Sequence, residues 1–282
     1  MIMLRITLLG TGTPVLDPAR QHSSLLIEID DHKLLFDTGR GVTTQLLQTG
    51  TTPQAVDGVF ITHHHYDHIG NLGEFLLTAW HNGRTTPLPV YGPPGTAEIV
   101  NALLNQVYAR DIAFARFTDP DGVDIRELIQ VHEISAGLAC ATAAYRVLAA
   151  PVDHGHSLGL TREAWPCLGY RIEAAGKVIA ISGDTVACAG LDQLARDADC
   201  LIQCCYLADA ELTTSAFTRT ATHIIAAGGA VGQIAARNRV KQLVLTHIRP
   251  KSALLIQSML DDVRRSYQGK VLLGADLLVI DL

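Results

Sequence analysis

The segment Ile61-Thr62-His63-His64-His65-Tyr66-Asp67-His68 places four potential metal ligands, His63, His65, Asp67 and His68, within six residues. Imidazole nitrogens and carboxylate oxygens are the donors that hold zinc and related divalent ions. In an extended chain, side chains two residues apart point the same way, so His63 and His65 aim together. Asp67 and His68, on the following turn, swing toward a second position nearby. That spacing suits two adjacent ions better than one. A pair of ions can lower the pKa of water from about 15.7 toward about 7 and so supply a nucleophile at neutral pH. His64 points away by strand alternation and is read as non-ligating, hydrogen-bonded to a buried carbonyl. Histidine-rich tracts also bind metal adventitiously. Here the position at a strand end, with further lone His and Asp residues at later strand ends, favours a built site.

The tract is positioned by the apolar run Val59-Phe60-Ile61 before it and a helix entered through Gly70 after it. Short apolar strands are expected near 3–9, 23–29, 33–37 and 57–62, with helices over 42–49 and 70–82. Helical periodicity resumes after Gly92-Pro93-Pro94-Gly95 and runs to about 115. Further strands are expected near 128–133, 139–152, 167–174, 177–182, 199–206, 241–246 and 277–281, with helices near 216–237 and 252–266. This alternation predicts an α/β class with mixed sheets. Thr11-Gly12-Thr13-Pro14 and Asp37-Thr38-Gly39 are turn chemistry that puts loops at strand ends, where sites on such scaffolds lie.

The 282 residues, 48% of them hydrophobic, can bury a large core. No linker, charge block or repeat divides them, so a single domain over 1–282 is expected. A net charge of -6 and the absence of a Lys/Arg run argue against a surface that tracks a phosphate backbone. The N-terminal stretch does not read as a secretory signal, and no apolar run reaches the ~18 residues of a membrane span. A cytoplasmic protein that engages no membrane is expected. Six cysteines show no C-x-x-C spacing and are read as reduced. Cys204 and Cys205 are neighbours on a strand, so at most one faces the site.

His63-x-His65-x-Asp67-His68 resembles the signature of the metallo-β-lactamase superfamily. The likeness runs from Leu9-Gly10-Thr11-Gly12-Thr13-Pro14 through Leu35-Phe36-Asp37-Thr38-Gly39 to Leu245-Thr246-His247, and is closest to the ribonuclease Z and arylsulfatase-like branch. It implies an αββα sandwich, with two mixed β-sheets flanked by helices and metals at one edge between the sheets. It also implies a third histidine, a bridging aspartate and a final histidine, for which His154, Asp184 and His247 each follow an apolar strand. His156 competes with His154, since only Gly155 separates them. The strand-end position favours His154, leaving His156 beside the site or on the surface. Asp37 is expected to accept a hydrogen bond from a ligand imidazole, or else to cap the helix at 42–49. Asp67 is placed among the catalytic groups as well as the ligands. His223 resembles the branch's additional histidine, which assists the leaving group; a histidine near a helix start is otherwise structural. His22, His32, His81 and His132 are read as structural.

The chain also departs from the branch. Ribonuclease Z carries a long basic arm between its Gly-Tyr-Arg-Ile and Gly-Asp-Thr segments. Here Gly169-Tyr170-Arg171-Ile172 reaches Gly183-Asp184-Thr185 across a span that fits a plain hairpin. That span and the negative charge speak against transfer RNA as substrate. Gln203 and Cys204 stand where ribonuclease Z has His and Glu, so the carboxylate that would orient His223 is missing. Tyr66 replaces a small residue. Trp80, Trp165 and Tyr66 are candidates to line an apolar pocket, and Arg249 either holds an anionic head group or sits in a surface ion pair.

The resemblance implies a dinuclear metal-dependent hydrolase of a small ester, with phosphodiesters or aryl sulfates first and lactones next, and suggests a homodimer. Zinc fits the donor set best, with manganese or iron as alternatives. The rivals are a ribonuclease Z-type endonuclease, an iron-dependent oxidoreductase on the same fold and a non-catalytic scaffold. The oxygen-reducing di-iron relatives place a glutamate where this chain has His65, and scaffolds lose ligands that are intact here.

Overall fold

The computed structural model describes residues 3–282. Fourteen strands form two seven-stranded sheets. The first contains β1 (Leu4–Gly10), β2 (Ser24–Ile29), β3 (His32–Phe36), β4 (Gly58–Phe60), β5 (Leu88–Gly92), β6 (Ile129–Glu133) and β14 (Val279–Asp281), in the order β14-β1-β2-β3-β4-β5-β6. The second contains β7 (Gly137–Ala141), β8 (Tyr145–Pro151), β9 (Leu168–Ala174), β10 (Lys177–Ile181), β11 (Cys200–Cys204), β12 (Gln242–Thr246) and β13 (Lys270–Leu273), in the order β13-β12-β11-β10-β9-β8-β7. Each sheet is antiparallel in one half and parallel in the other.

Apolar side chains on both faces of the central strands give three layers of core. Leu4, Ile6, Ile27, Phe36 and Phe60 of the first sheet pack on Val147, Tyr170, Ile179 and Ile202 of the second. Phe36, Phe60 and Tyr170 meet at its centre, with Phe36 stacked on Phe60 at 4.7 Å and Tyr170 edge-on to both. On the outer face of the first sheet, Leu9, Leu35 and Val59 pack under the helices α1 (Val42–Gln48) and α3 (Leu72–His81). On the second, Leu201, Leu243 and Leu245 pack under α7 (Ala189–Ala195), α9 (Gly228–Arg237) and α10 (Ala253–Arg264). These layers make the αββα sandwich.

Three sequence expectations are corrected. The stretch 139–152 is two strands: Thr142 accepts the backbone N–H groups of Ala144 and Tyr145 and turns the chain without glycine or proline. The helix expected over 216–237 is two, α8 (Ser215–His223) and α9, because Ile225 and Ala226 are drawn into the core between them. The strands β5 and β13 were not anticipated, since their short runs sit against Pro and Gly that read as loop. The Arg171–Ser182 span is the expected plain hairpin, with Ala175 and Gly176 at φ 53° and 71° as its two-residue turn.

A candidate dinuclear metal centre

Strands β4, β8, β10 and β12 end at the same edge of the sandwich, because β8 runs antiparallel to β9 and β9 antiparallel to β10. Past its C-terminal end β4 delivers His63, His65, Asp67 and His68, while β8, β10 and β12 deliver His154, Asp184 and His247. His63, His65, His154 and Asp184 form one group with ligand atoms within 4.8 Å of one another, and Asp67, His68 and His247 form a second. All seven are buried except His65, which is partly so. His63 Nε2 lies 3.0 Å from His65 Nδ1, which lies 3.2 Å from His154 Nε2. Tetrahedral ligands at metal–nitrogen distances of ~2.0–2.1 Å stand roughly 3.3 Å apart, so these nitrogens already trace the edges of a coordination shell. Asp184 lies between the groups: Oδ2 is 3.3 Å from His247 Nε2 and 4.0 Å from His154 Nε2, and Oδ1 is 3.6 Å from His68 Nε2.

The outward nitrogens are fixed from behind. Asp37 accepts from Thr62 N–H at 2.8 Å and Thr62 hydroxyl at 2.9 Å, and its Oδ2 takes His68 Nδ1–H at 2.7 Å. His63 Nδ1–H donates to Thr62 Oγ1 at 3.0 Å, and His154 Nδ1–H to the Ile224 carbonyl at 2.8 Å. Each bond leaves Nε2 free to face inward, as imidazole ligands require. Asp37 therefore takes the expected place behind a site imidazole, and the alternative capping role falls away: α1 has no side-chain cap. Asp37 and His247 both adopt a left-handed backbone, φ 57°. Such conformations cost about 1 kcal/mol or more and persist where the surroundings over-determine them. Gly183, at φ 60°, turns the chain into Asp184 where a Cβ would meet the Leu168 carbonyl at 2.6 Å.

Charge at the site is arranged for cations. Burial, reinforced by neighbouring histidines, lowers His63 well below the usual histidine pKa and takes His65 to about 4, while burial lowers His154 as well. These rings are neutral, with lone pairs available. Burial alone would raise Asp184, but His247 and His68 outweigh it and hold its carboxyl well below the carboxylate range. Burial likewise opposes charge on His68, yet Asp184 and Asp37 lift its pKa above the ordinary value. The carboxylates thus demand positive charge between them. Asp67 Oδ1, Asp184 Oδ1 and His68 Nε2 are buried with no hydrogen-bond partner, and a buried polar atom without one costs about 1–3 kcal/mol. Orphaned donors converging in a dry pocket fit divalent cations.

Around this centre the other candidates separate. His156 is turned away: its Nδ1 accepts His154 N–H at 3.0 Å and its Nε2 donates to the Trp165 carbonyl at 2.9 Å. His64 faces the opposite side, but its partner is the Thr96 hydroxyl at 2.9 Å, not a carbonyl. Trp165 packs on His65 at 4.7 Å. Trp80 does not belong here: it donates to the Val123 carbonyl and lines a separate cavity with His81 and Arg116. Tyr66 is 59% exposed and bonds the Pro14 carbonyl at 3.1 Å. Arg249 is in an ion pair, but a half-buried one, with Glu211 at 2.6 Å and its guanidinium over Phe217. His223 is the last residue of α8, not near its start, and its Nδ1 meets Ser157 Oγ at 2.7 Å. Cys204 faces the site, where burial and then Asp184 raise its thiol well above the usual range, while Cys205 packs under α9 and α10. All six cysteines are free. The ring of His22 is buried, its nitrogens unpartnered, and lies edge-on to Tyr66 at 5.6 Å. Its only sequence signal is a polar residue just before a strand that borders the Thr11–Pro14 turn.

The model of the beta-lactamase superfamily domain matches residues 32–248. The chain belongs to the metallo-β-lactamase superfamily. As a member it is a metal-dependent hydrolase; the fold implies divalent metal binding, and the His/Asp cluster described above could hold such ions. The ribonuclease Z of Mycobacterium avium (strain 104) is 35% identical over 290 residues, covering 98% of this chain and 97% of its own length. Among solved structures, the metallo-β-lactamase fold protein YhfI from Bacillus subtilis superposes with a TM-score of 0.74 at 16% identity over 100% of both chains. The short form of human tRNase Z gives 0.73 at 24% identity over 98% of both. These likenesses establish the sandwich. The mycobacterial alignment also corrects one inference. Its 290 positions nearly exhaust both chains, leaving no room for a long arm in that ribonuclease Z either. Absence of the arm therefore does not tell this protein from that relative. No helix among the described residues is long and apolar enough to cross a membrane.

Proposed function

We propose that the protein hydrolyses a phosphodiester in a small substrate, using two divalent ions, zinc by the nitrogen-rich donor set. One would be held by His63, His65, His154 and Asp184, the other by Asp67, His68, His247 and Asp184. The observation that carries this reading is Asp184, whose two oxygens face both groups. When bound, such ions polarise the ester and make water acidic enough to act at neutral pH. The chain's own residues do the rest. Asp67 offers the buried Oδ1 as acceptor for a proton of the attacking water. Asp37 keeps His68 oriented. Trp165 walls the cluster at His65. His223 donates a proton to the leaving oxygen.

The substrate class follows from nearby surface. Val15, Leu16 and Tyr66, on the loop before β2 and at the start of the helix Tyr66–Ile69, are exposed by 46, 66 and 59%; Leu158 and Leu160, in the loop after His154, by 37 and 48%. Apolar side chains held in water on two loops that carry or adjoin the cluster favour a substrate with an apolar group. Aryl sulfates and lactones share the chemistry and belong in the same panel.

A second reading, cleavage of precursor transfer RNA, is favoured by the name of the mycobacterial relatives. The decisive comparison sets a small aryl phosphodiester beside precursor transfer RNA at equal enzyme concentration and several salt levels. Faster turnover of the diester is expected. Efficient removal of the 3′ trailer, with binding that weakens steeply as salt rises, would replace our reading with the second.

The same reading takes residues 1–282 as one domain, since one core cluster draws on both sheets from Leu4 to Ile280. It takes the protein as cytoplasmic, in keeping with six free thiols. It also includes a homodimer, supported by Val107, Phe114 and Phe117, exposed by 64, 68 and 83% along one helical stretch.

A further inference from the structure

We propose that Ser157 is the positioning residue for His223, taking over the orienting task of the carboxylate this chain lacks. The inference rests on the proposed role of His223 as proton donor. At the β11 positions where that carboxylate would stand, Gln203 is fully buried and donates to the Cys204 carbonyl, and Cys204 lies against Asp184. Neither hydrogen-bonds to His223. Instead the turn after His154 reaches across. Gly155 N–H donates to the His223 carbonyl at 2.8 Å, His154 Nδ1–H to the Ile224 carbonyl at 2.8 Å, and Ser157 Oγ meets His223 Nδ1 at 2.7 Å. Three bonds therefore fasten the end of α8 to the turn that carries a candidate ligand. Only the third involves the His223 ring, and among the described residues it is that ring's one hydrogen bond.

A hydroxyl suits the task differently from a carboxylate. It accepts from Nδ1–H or donates to a bare Nδ1, whereas an ionised carboxylate only accepts. With Nδ1 engaged, Nε2 is the nitrogen left to face the leaving group. In the reaction the water oxygen forms its bond to phosphorus and the bond to the leaving oxygen breaks, the electron pair departing with that oxygen. The ring enters the step with both nitrogens protonated and passes its Nε2 proton to that oxygen, while the proton lost by the water goes to Asp67 Oδ1. The ring is left as the neutral Nδ1–H tautomer, and that proton donates to Ser157 Oγ.

The test uses two phosphodiesters, one with an alkyl leaving group that needs a proton and one with a nitrophenolate that does not. Ser157→Ala should lower kcat about tenfold on the alkyl diester, the size of one hydrogen bond to a positioned group. KM, metal content and turnover of the nitrophenyl diester should be unchanged, and Ser157→Thr should restore the loss. The nitrogen-15 signals of the His223 imidazole should report one tautomer in the wild type and a mixture in Ser157→Ala. Equal loss on both diesters would show a merely structural serine and overturn the proposal, as would unchanged kcat with unchanged tautomer signals. If His223→Ala cleaves the alkyl diester normally, the proton-donor reading fails. The tautomer signals then still decide whether Ser157 orients the ring.

Discussion

Asp184→Ala is expected to emerge from chelator-free purification with less than one metal per chain, where the wild type holds close to two. Its carboxylate is within 4.0 Å of His154 and His247 and 3.6 Å of His68, so its removal strips a donor from both groups at once. Loss of a partner one shell further out already costs about 10–100-fold in metal affinity. Loss of a shared ligand should exceed that and reduce turnover by at least about a thousandfold, the scale of a lost charge-stabilising group. The variant also takes from His68 and His247 one of the two carboxylates that face each of them, leaving Asp37 beside the first and Asp67 beside the second. Elemental analysis of both proteins decides the outcome. Two ions retained by Asp184→Ala, or none in the wild type, would remove the dinuclear reading.

His154→Ala and His156→Ala, although only Gly155 separates the two residues, should behave as opposites. His154 Nε2 stands 3.2 Å from His65 Nδ1 inside the first group. Its truncation should cost one ion and at least about a hundredfold in turnover. His156 has both ring nitrogens committed to backbone, on His154 and Trp165. Its truncation should keep two ions and cost about 2 kcal/mol of stability, the net worth of two hydrogen bonds. The measurements are metal content and urea unfolding of each variant. Retention of both ions by His154→Ala, with loss in His156→Ala, would reverse the assignment.

Much of the site could be read from sequence because its residues are tied to strand ends. His63, His65, Asp67 and His68 are local in the chain, and period-two alternation alone separates His63 and His65 from His64. His154, Asp184 and His247 are legible through the family resemblance, which calls for two more histidines and an aspartate, each found here after an apolar run. What could not be read depends on contacts between segments remote in sequence. The partner of His64 is Thr96, that of Arg249 is Glu211, and that of His223 is Ser157. No periodicity relates them. The break after His223 was hidden for a similar reason. Its cause is tertiary, the burial of Ile225 and Ala226, while the local residues are compatible with continuing the helix. Trp80 was misplaced because composition shows that an aromatic is present without showing which end of the sandwich it occupies.

The bond between Asp67 and His247 joins residues 180 apart in sequence. The two donor groups therefore come together only when both sheets have formed and docked, late in any folding sequence in which local contacts precede distant ones. An ion that binds only this completed arrangement holds the native state by mass action. Where those contacts form after the transition state, such an ion would slow escape from the native state and leave the rate of reaching it almost unchanged. On the proposed dinuclear reading, added metal would lengthen the life of the folded molecule without speeding its folding.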